Sequence, residues 1–156
     1  MISFKIMSAD SLDLREILEL QYLAYQSEAR LLDDFSIPPL AQTFDEIRQE
    51  YMERLFLKAT DENGKIIGSV RAHCEGGTAY IGKLIVQPEM QGQGIGTRLV
   101  AEVEKEFPAV RYEIFTSSKS VRTIRLYEHL GYVRFREQKI SGKLTLVFLE
   151  KNKTRD

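Results

Sequence analysis

The chain has one cysteine, Cys74, in 156 residues. A single thiol excludes an internal disulfide and a cysteine-rich zinc site. A small residue in a strand is the simpler reading of it. An excess of one charge is also missing. Lys and Arg number 22 against 23 Asp and Glu, a formal net charge of −1. That balance argues against a dedicated nucleic-acid binder, which carries a basic surplus. No apolar run approaches the length of a membrane span. The opening MISFKIMSAD lacks the apolar stretch of a signal peptide. A cytoplasmic protein without a membrane partner is expected. His73 and His129 form no metal cluster, so no metal is expected. There is no internal repeat, low-complexity tract or linker-like shift in composition.

What is there fits a folded domain. Hydrophobic residues make up 43% of the chain, enough for a core at this length. One domain is expected over residues 1–150, with a loose polar tail, KNKTRD, at 151–156. Residues 2–7 read as a strand. Asp10 or Ser11 can cap a helix whose apolar face is Leu14, Ile17, Leu18, Tyr22 and Tyr25. Pro38-Pro39 should break any helix. Thr43 and Glu46 make a capping box for a second helix with Phe44, Ile47, Tyr51 and Leu55 on one face. The period then changes. LFLKAT, KIIGSVRAHCEG and TAYIGKLIV read as strands joined by DENG and Gly76-Gly77. Ile95, Leu99, Val103 and Phe107 repeat helically up to Pro108. VRYEIFTSS is a further strand. Ser120 can cap a last helix that Gly131 closes. YVRFREQKI and KLTLVFLE form a final hairpin. The order is β-α-α-β-β-β-α-β-α-β-β, a mixed α/β domain with a mostly antiparallel first half.

The segment KLIVQPEMQGQGIGTRLVAEVEKEF carries the chemistry. A strand ending at Val86 runs into three glycines, Gly92, Gly94 and Gly96, and then into a helix. The first amides of a helix have no intrahelical partner and sit at the positive end of its dipole. Glycine lets an anion approach them without a Cβ in the way. Phosphate or pyrophosphate binding is the physical reading. The P-loop motif is absent. A dinucleotide fingerprint starting at Gly92 would end on Thr97 instead of glycine, and too much chain precedes it.

Gln91-Gly92-Gln93-Gly94-Ile95-Gly96 fits Q/R-x-x-G-x-G/A, and the segment resembles the acetyl-CoA motif of the GNAT family of N-acetyltransferases. Leu84-Ile85-Val86-Gln87-Pro88 is similar to that family's strand ending. Ile124 to Tyr132, IRLYEHLGY, resembles its second marker, a helix ending in L-Y-x-x-x-G-F/Y. Order and spacing of the markers agree, and the likeness spans nearly the whole chain. The resemblance implies a central sheet with helices on both faces and a splayed strand pair that binds CoA. It implies acetyl-CoA as cosubstrate and a primary amine as acceptor: a small molecule, amino acid, polyamine or peptide. The family typically transfers acetyl by direct attack, without an acyl-enzyme. A homodimer is compatible with it.

The resemblance also implies residue roles. Gly92, Gln93, Gly94, Ile95, Gly96 and Thr97, after Gln91, would hold the pyrophosphate. Leu84, Ile85 and Val86 would pair with pantetheine, and an N–H near Val86 would meet the oxyanion. Tyr127 matches the tyrosine that protonates the departing thiolate. Ser120 stands where many members have asparagine near pantetheine. The strand carboxylate that often serves as base is absent, and Tyr80 stands where some members place glutamate. Glu113 and Glu75 are carboxylates on adjacent strands, and Glu113 is taken as the candidate base. EARLLDDFSIPP becomes the acceptor loop, in which Asp33 and Asp34 would attract a cationic amine. Arg98, Lys119, Arg122 and Arg125 flank the expected cofactor. The altered Ser120 and the missing strand carboxylate leave a second reading, a non-catalytic acyl-CoA sensor or interaction module on the same fold.

Overall fold

The computed structural model describes residues 2–108 and 111–153. Among the described residues, seven strands form one sheet in the order β1-β2-β3-β4-β5-β7-β6. They are β1 Lys5–Ser8, β2 Leu55–Thr60, β3 Ile66–Glu75, β4 Thr78–Val86, β5 Arg111–Ser117, β6 Val133–Lys139 and β7 Thr145–Asn152. Every neighbouring pair is antiparallel except β4 and β5. The described residues also form six α-helices: α1 Leu14–Ala24, α2 Gln26–Leu32, α3 Pro38–Ala41, α4 Phe44–Glu53, α5 Ile95–Glu106 and α6 Val121–His129.

The two faces of the sheet bury different helices. Ile67, Val70, Ala79, Ile81, Tyr112 and Ile114 pack against Leu99 and Val103 of α5 and Ile124 and Tyr127 of α6. Phe56, Ile66 and Ile85 point the other way, onto Leu14, Ile17 and Leu18 of α1 and Ile47 of α4. The alternation of strand side chains produces this two-layer burial. Ala29, Leu32 and Ile37 close a smaller third cluster beneath α2.

Several boundaries differ from expectation, each for a local reason. β1 starts at Lys5, three residues after Ile2, because pairing with β2 begins only at Lys5↔Thr60. The first expected helix is two helices. Tyr25 sits between them at ψ 0°, and α2 buries its own Ala29 and Leu32 in a separate cluster with Ile37. Pro38-Pro39 opens a short helix instead of only breaking one, since proline suits a first helical turn. Four helices therefore precede β2, where two were expected. Leu55 leaves the α4 face for β2, as Arg54 is already extended. Asp10 caps a single 3₁₀ turn over Ser11–Asp13 instead of α1 directly. The Thr43–Glu46 capping box forms with both hydrogen bonds. Gly131, at φ +98°, ends α6. β7 continues to Asn152, two residues into the expected tail, by pairing with Arg111. Residues 154–156 of the tail and Val110 lie outside the described residues. Among the described residues, no helix is long and apolar enough to cross a membrane.

Candidate active site

The parallel pair β4 and β5 builds the site by coming apart. Its pairing runs only from Thr78↔Arg111 to Ile81↔Ile114. Beyond that point β4 continues to Val86 and β5 to Ser117 without meeting. The cause lies in β4. Its register on β3 shifts by one residue between Ser69↔Ile85 and Arg71↔Gly82, and Lys83 adopts a left-handed φ of +44°. An extra residue on one strand bends that strand and raises its twist. Leu84, Ile85 and Val86 are left with a backbone edge facing β5 inside the sheet.

The glycine segment ends at α5. Gly94 is the residue before the helix, at φ +83°, and no side chain caps the helix there. The first intrahelical bond runs from the Arg98 N–H to the Gly94 carbonyl at 3.1 Å. The N–H groups of Ile95, Gly96 and Thr97 thus precede the helical ladder. A Cβ on Gly94 would meet nothing within 4 Å, so the approach is open. Gly96 is different. A Cβ there would lie 3.2 Å from Leu126 Cδ1 and 3.5 Å from Leu84 Cδ2. Its smallness seats α5 against β4 and α6, so the third glycine serves packing and not the approach of an anion. The side chain of Ile95 is buried in the core, and Gln93 is half-buried. Gln91 Oε1 accepts a 3.0 Å hydrogen bond from Arg122 Nη1, which ties the segment to α6. Arg98, by contrast, stacks on the Phe4 ring.

A cavity of about 910 Å³ opens between the splayed strands. Tyr80, Leu84, Ile85, Val86, Gln91, Glu113, Ser120 and Tyr127 all line it. The fold brings together residues that span almost 50 positions of sequence. Gly92 to Thr97 continue from Gln91 outside the wall. Asp33 and Asp34 are not brought to the cavity. Asp33 ends α2 at φ +52°, its side chain is fully exposed, and its carbonyl accepts from Lys143 Nζ at 2.7 Å. Asp34 Oδ1 accepts from the Ser36 hydroxyl and from the Ser36 N–H at 2.9 Å, which hold its carboxyl below the usual range. Both aspartates shape a turn.

Three titratable groups converge where the strands part. Tyr127 is buried, and burial first, then Tyr25 and Glu28, raise its hydroxyl well above the phenol range. That hydroxyl has no hydrogen-bond partner among the described residues. Glu28 comes from α2. Burial raises its carboxyl above the usual value, against a lowering by the 2.8 Å hydrogen bond from Ser120 Oγ. Ser120 therefore does not cap α6 with its side chain; it reaches across to α2. Tyr25 is raised in turn, by burial and then by Glu28. Glu113 stands on the cavity wall in an ion pair, 2.9 Å from Arg111 Nη1, and the same guanidinium donates to Glu150 at 2.7 Å.

A second polar group lies further along the cavity. Arg71 on β3 is 1% exposed. Its guanidinium donates to Glu50 at 2.8 Å, to Gln42 at 3.1 Å and to Gln21. Lys83 and Arg54 are 3.4 and 3.7 Å from the same Glu50 carboxylate. His73 stacks on Tyr80 at 5.2 Å between ring centroids.

Beyond this geometry, a model of the acetyltransferase (GNAT) family matches residues 13–132. The chain belongs to that family. No curated protein matches the sequence. Solved structures share the fold. The ribosomal-protein-S18-alanine N-acetyltransferase of Escherichia coli is 17% identical, with 96% of this chain and 94% of that one covered and a TM-score of 0.78. The PaiA N-acetyltransferase of Thermoplasma acidophilum, solved with coenzyme A, is 17% identical over 97% and 100%, TM-score 0.77. The phosphinothricin acetyltransferase of Sinorhizobium meliloti, solved with acetyl-CoA, is 19% identical over 97% and 89%, TM-score 0.77. The matched range in this GNAT chain takes in the glycine segment, both splayed strands and Tyr127, and stops before β6.

Two features of this GNAT site lie outside its sequence motifs. Glu28 carries no motif, and its partner Ser120 is 92 residues away. The Arg71 cluster had one legible signal, a charge inside the apolar run IIGSVRAHC, where a charged residue is rarely buried without partners.

Proposed function

We propose that this protein transfers an acetyl group from acetyl-CoA to a primary amine by direct attack. The observation that carries the reading is the parting of β4 and β5 beside an uncapped α5 N-terminus, with Tyr127 at the fork. The residues present fit the cosubstrate. The N–H groups of Ile95 to Thr97 and the open face of Gly94 suit a pyrophosphate. Lys119 and Arg122 add positive charge on the cavity side of α6. The edge of Leu84 to Val86 suits an extended amide chain added as a strand. Acetyl-CoA supplies the activated thioester.

Glu28 takes the role the sequence left open. Its carboxylate is desolvated inside the cavity, which raises its affinity for a proton toward working pH. Ser120 holds it in place. Glu113, gripped by Arg111, is the weaker candidate for that role. Glu28 removes a proton from the acceptor ammonium, freeing the nitrogen lone pair. A C–N bond forms at the thioester carbon, and a backbone N–H near Val86 faces the oxyanion. The C–S bond then breaks. Tyr127, kept protonated by burial, gives its proton to the sulfur, and the second nitrogen proton replaces it. One proton leaves through Glu28, and one ends on the CoA thiol.

A panel of amines assayed for CoA release, with calorimetry of acetyl-CoA binding alongside, tests this. Saturable binding and turnover of at least one amine are expected. Absent CoA binding would overturn the assignment. Binding without turnover of any acceptor would describe a CoA-binding module.

A further inference from the structure

The end of the cavity beside β3 gathers positive charge. Three cations, Arg54, Arg71 and Lys83, share one carboxylate, Glu50, and all four line the cavity. Unneutralised charge in a desolvated site is costly. The cations register this. Burial lowers the proton affinity of Lys83, and Arg71 and Arg54 lower it further against Glu50. Arg71 has a buried Nε with no hydrogen-bond partner, and His73, two residues along the same face of β3, has a buried Nδ1 in the same condition. Buried polar atoms are normally paired. Gly82 pairs directly with Arg71, and a Cβ on Gly82 would meet nothing within 4 Å, so there is room beside the guanidinium. Lys83 is held there at a strained left-handed φ of +44°.

We infer that this end of the cavity binds the anionic group of the acceptor, and that the acceptor is an amine bearing a carboxylate, as in an amino acid. Arg71 and Lys83 supply the charge-assisted hydrogen bonds, and Arg54 adds attraction at the mouth. The inference rests on the acetyl-transfer reading above. It replaces the cationic acceptor expected from Asp33 and Asp34, which face solvent instead.

The experiment compares matched pairs on the full chain: methionine with methioninamide, and phenylalanine with phenethylamine, in acetyl transfer. Binding of N-acetylmethionine and N-acetylmethioninamide to the CoA-saturated protein is measured in parallel by calorimetry. The acids should be favoured about 10- to 100-fold in kcat/KM or in affinity. Lys83→Gln should cut that preference about 10-fold with acetyl-CoA affinity unchanged. Arg54→Gln, at a more exposed position, gives a second variant should Lys83→Gln fail to fold. Amides and amines that match the acids in both assays would overturn the subsite while leaving acetyl transfer standing. So would failure of both acetylated probes to bind protein that has bound CoA. Loss of CoA binding itself would instead overturn the acetyl-transfer reading.

Discussion

Tyr127 and Glu28 reach the fork between β4 and β5 from opposite ends of the chain, and burial acts on each in the same direction. For Tyr127 it keeps the phenol protonated, so the hydroxyl is a donor throughout the ordinary pH range. Tyr127→Phe keeps the ring and its packing and loses only that donor. Acetyl-CoA affinity and Tm should stay close to wild type while kcat falls on the order of 10²–10⁴-fold. Wild-type kcat in this variant would show that another group protonates the sulfur. Glu28 must be ionised to accept a proton. Its raised pKa should therefore set the acid limb of kcat/KM above the usual carboxylate range, with activity rising as pH increases through it. Stability runs the opposite way. A pKa raised by folding favours the protonated state, so its stabilising contribution is full below the unfolded value and is lost as pH rises through the folded value. Glu28→Gln should therefore lose the acid limb and most of kcat, yet melt no lower than wild type at pH 7. A clear fall in Tm at pH 7 would make Glu28 a tie between α2 and Ser120 instead of a base.

Among the elements, α5 separates two glycines that look alike in the motif. Gly94→Asp puts a carboxylate on an open face beside unpaired N–H groups, and costs about 1–2 kcal/mol for the left-handed backbone. The fold should survive, and acetyl-CoA binding in calorimetry should weaken strongly. Gly96→Asp drives the side chain between Leu126 and Leu84. It should destabilise by about 3 kcal/mol or more, seen as a large drop in Tm before any question of binding arises. Equal Tm losses in the two variants would contradict this division. The motif signalled an anion site at this turn, and the spacing alone could not tell an exposed glycine from a packed one. That distinction depends on which side of α5 meets β4 and α6.

At the scale of the molecule, Arg71 ties the sheet to the helical layer of α1 and α4. Glu50, Gln42 and Gln21 hold its guanidinium from α1, α4 and the turn between α3 and α4, across the face of β3. Burial pushes the Glu50 carboxyl up, but Arg71, the Gln42 hydrogen bond, Lys83 and Arg54 outweigh it and leave it below the usual value. A depressed pKa contributes stability that is present above the unfolded value and lost as pH falls through the folded one. Glu50→Gln should destabilise on the order of 3 kcal/mol at pH 7, because it leaves buried cations unpaired. The deficit should shrink in melts taken at progressively more acid pH, as wild-type Glu50 itself takes up a proton below its depressed pKa. A constant deficit across that range would mean that shape, and not charge, is what Glu50 provides.

Local physics determined much of this protein. Residue period named the strands of the sheet and the helix face of Leu99 and Val103. The Thr43–Glu46 pair placed a helix start, and Gly131 placed a helix end, because caps and turns are satisfied within a few residues. The glycine segment pointed to one end of the site for the same reason, and the Leu126-Tyr127 marker pointed there through its likeness to the family. Tertiary structure decided the rest. The β4 bulge at Lys83, the splay after Ile81, the Glu28–Ser120 contact and the convergence of Arg54, Arg71 and Lys83 on Glu50 all join residues far apart in the chain. Their strength comes from burial and from charges brought together across elements, and neither exists until the sheet and its two helical layers have assembled.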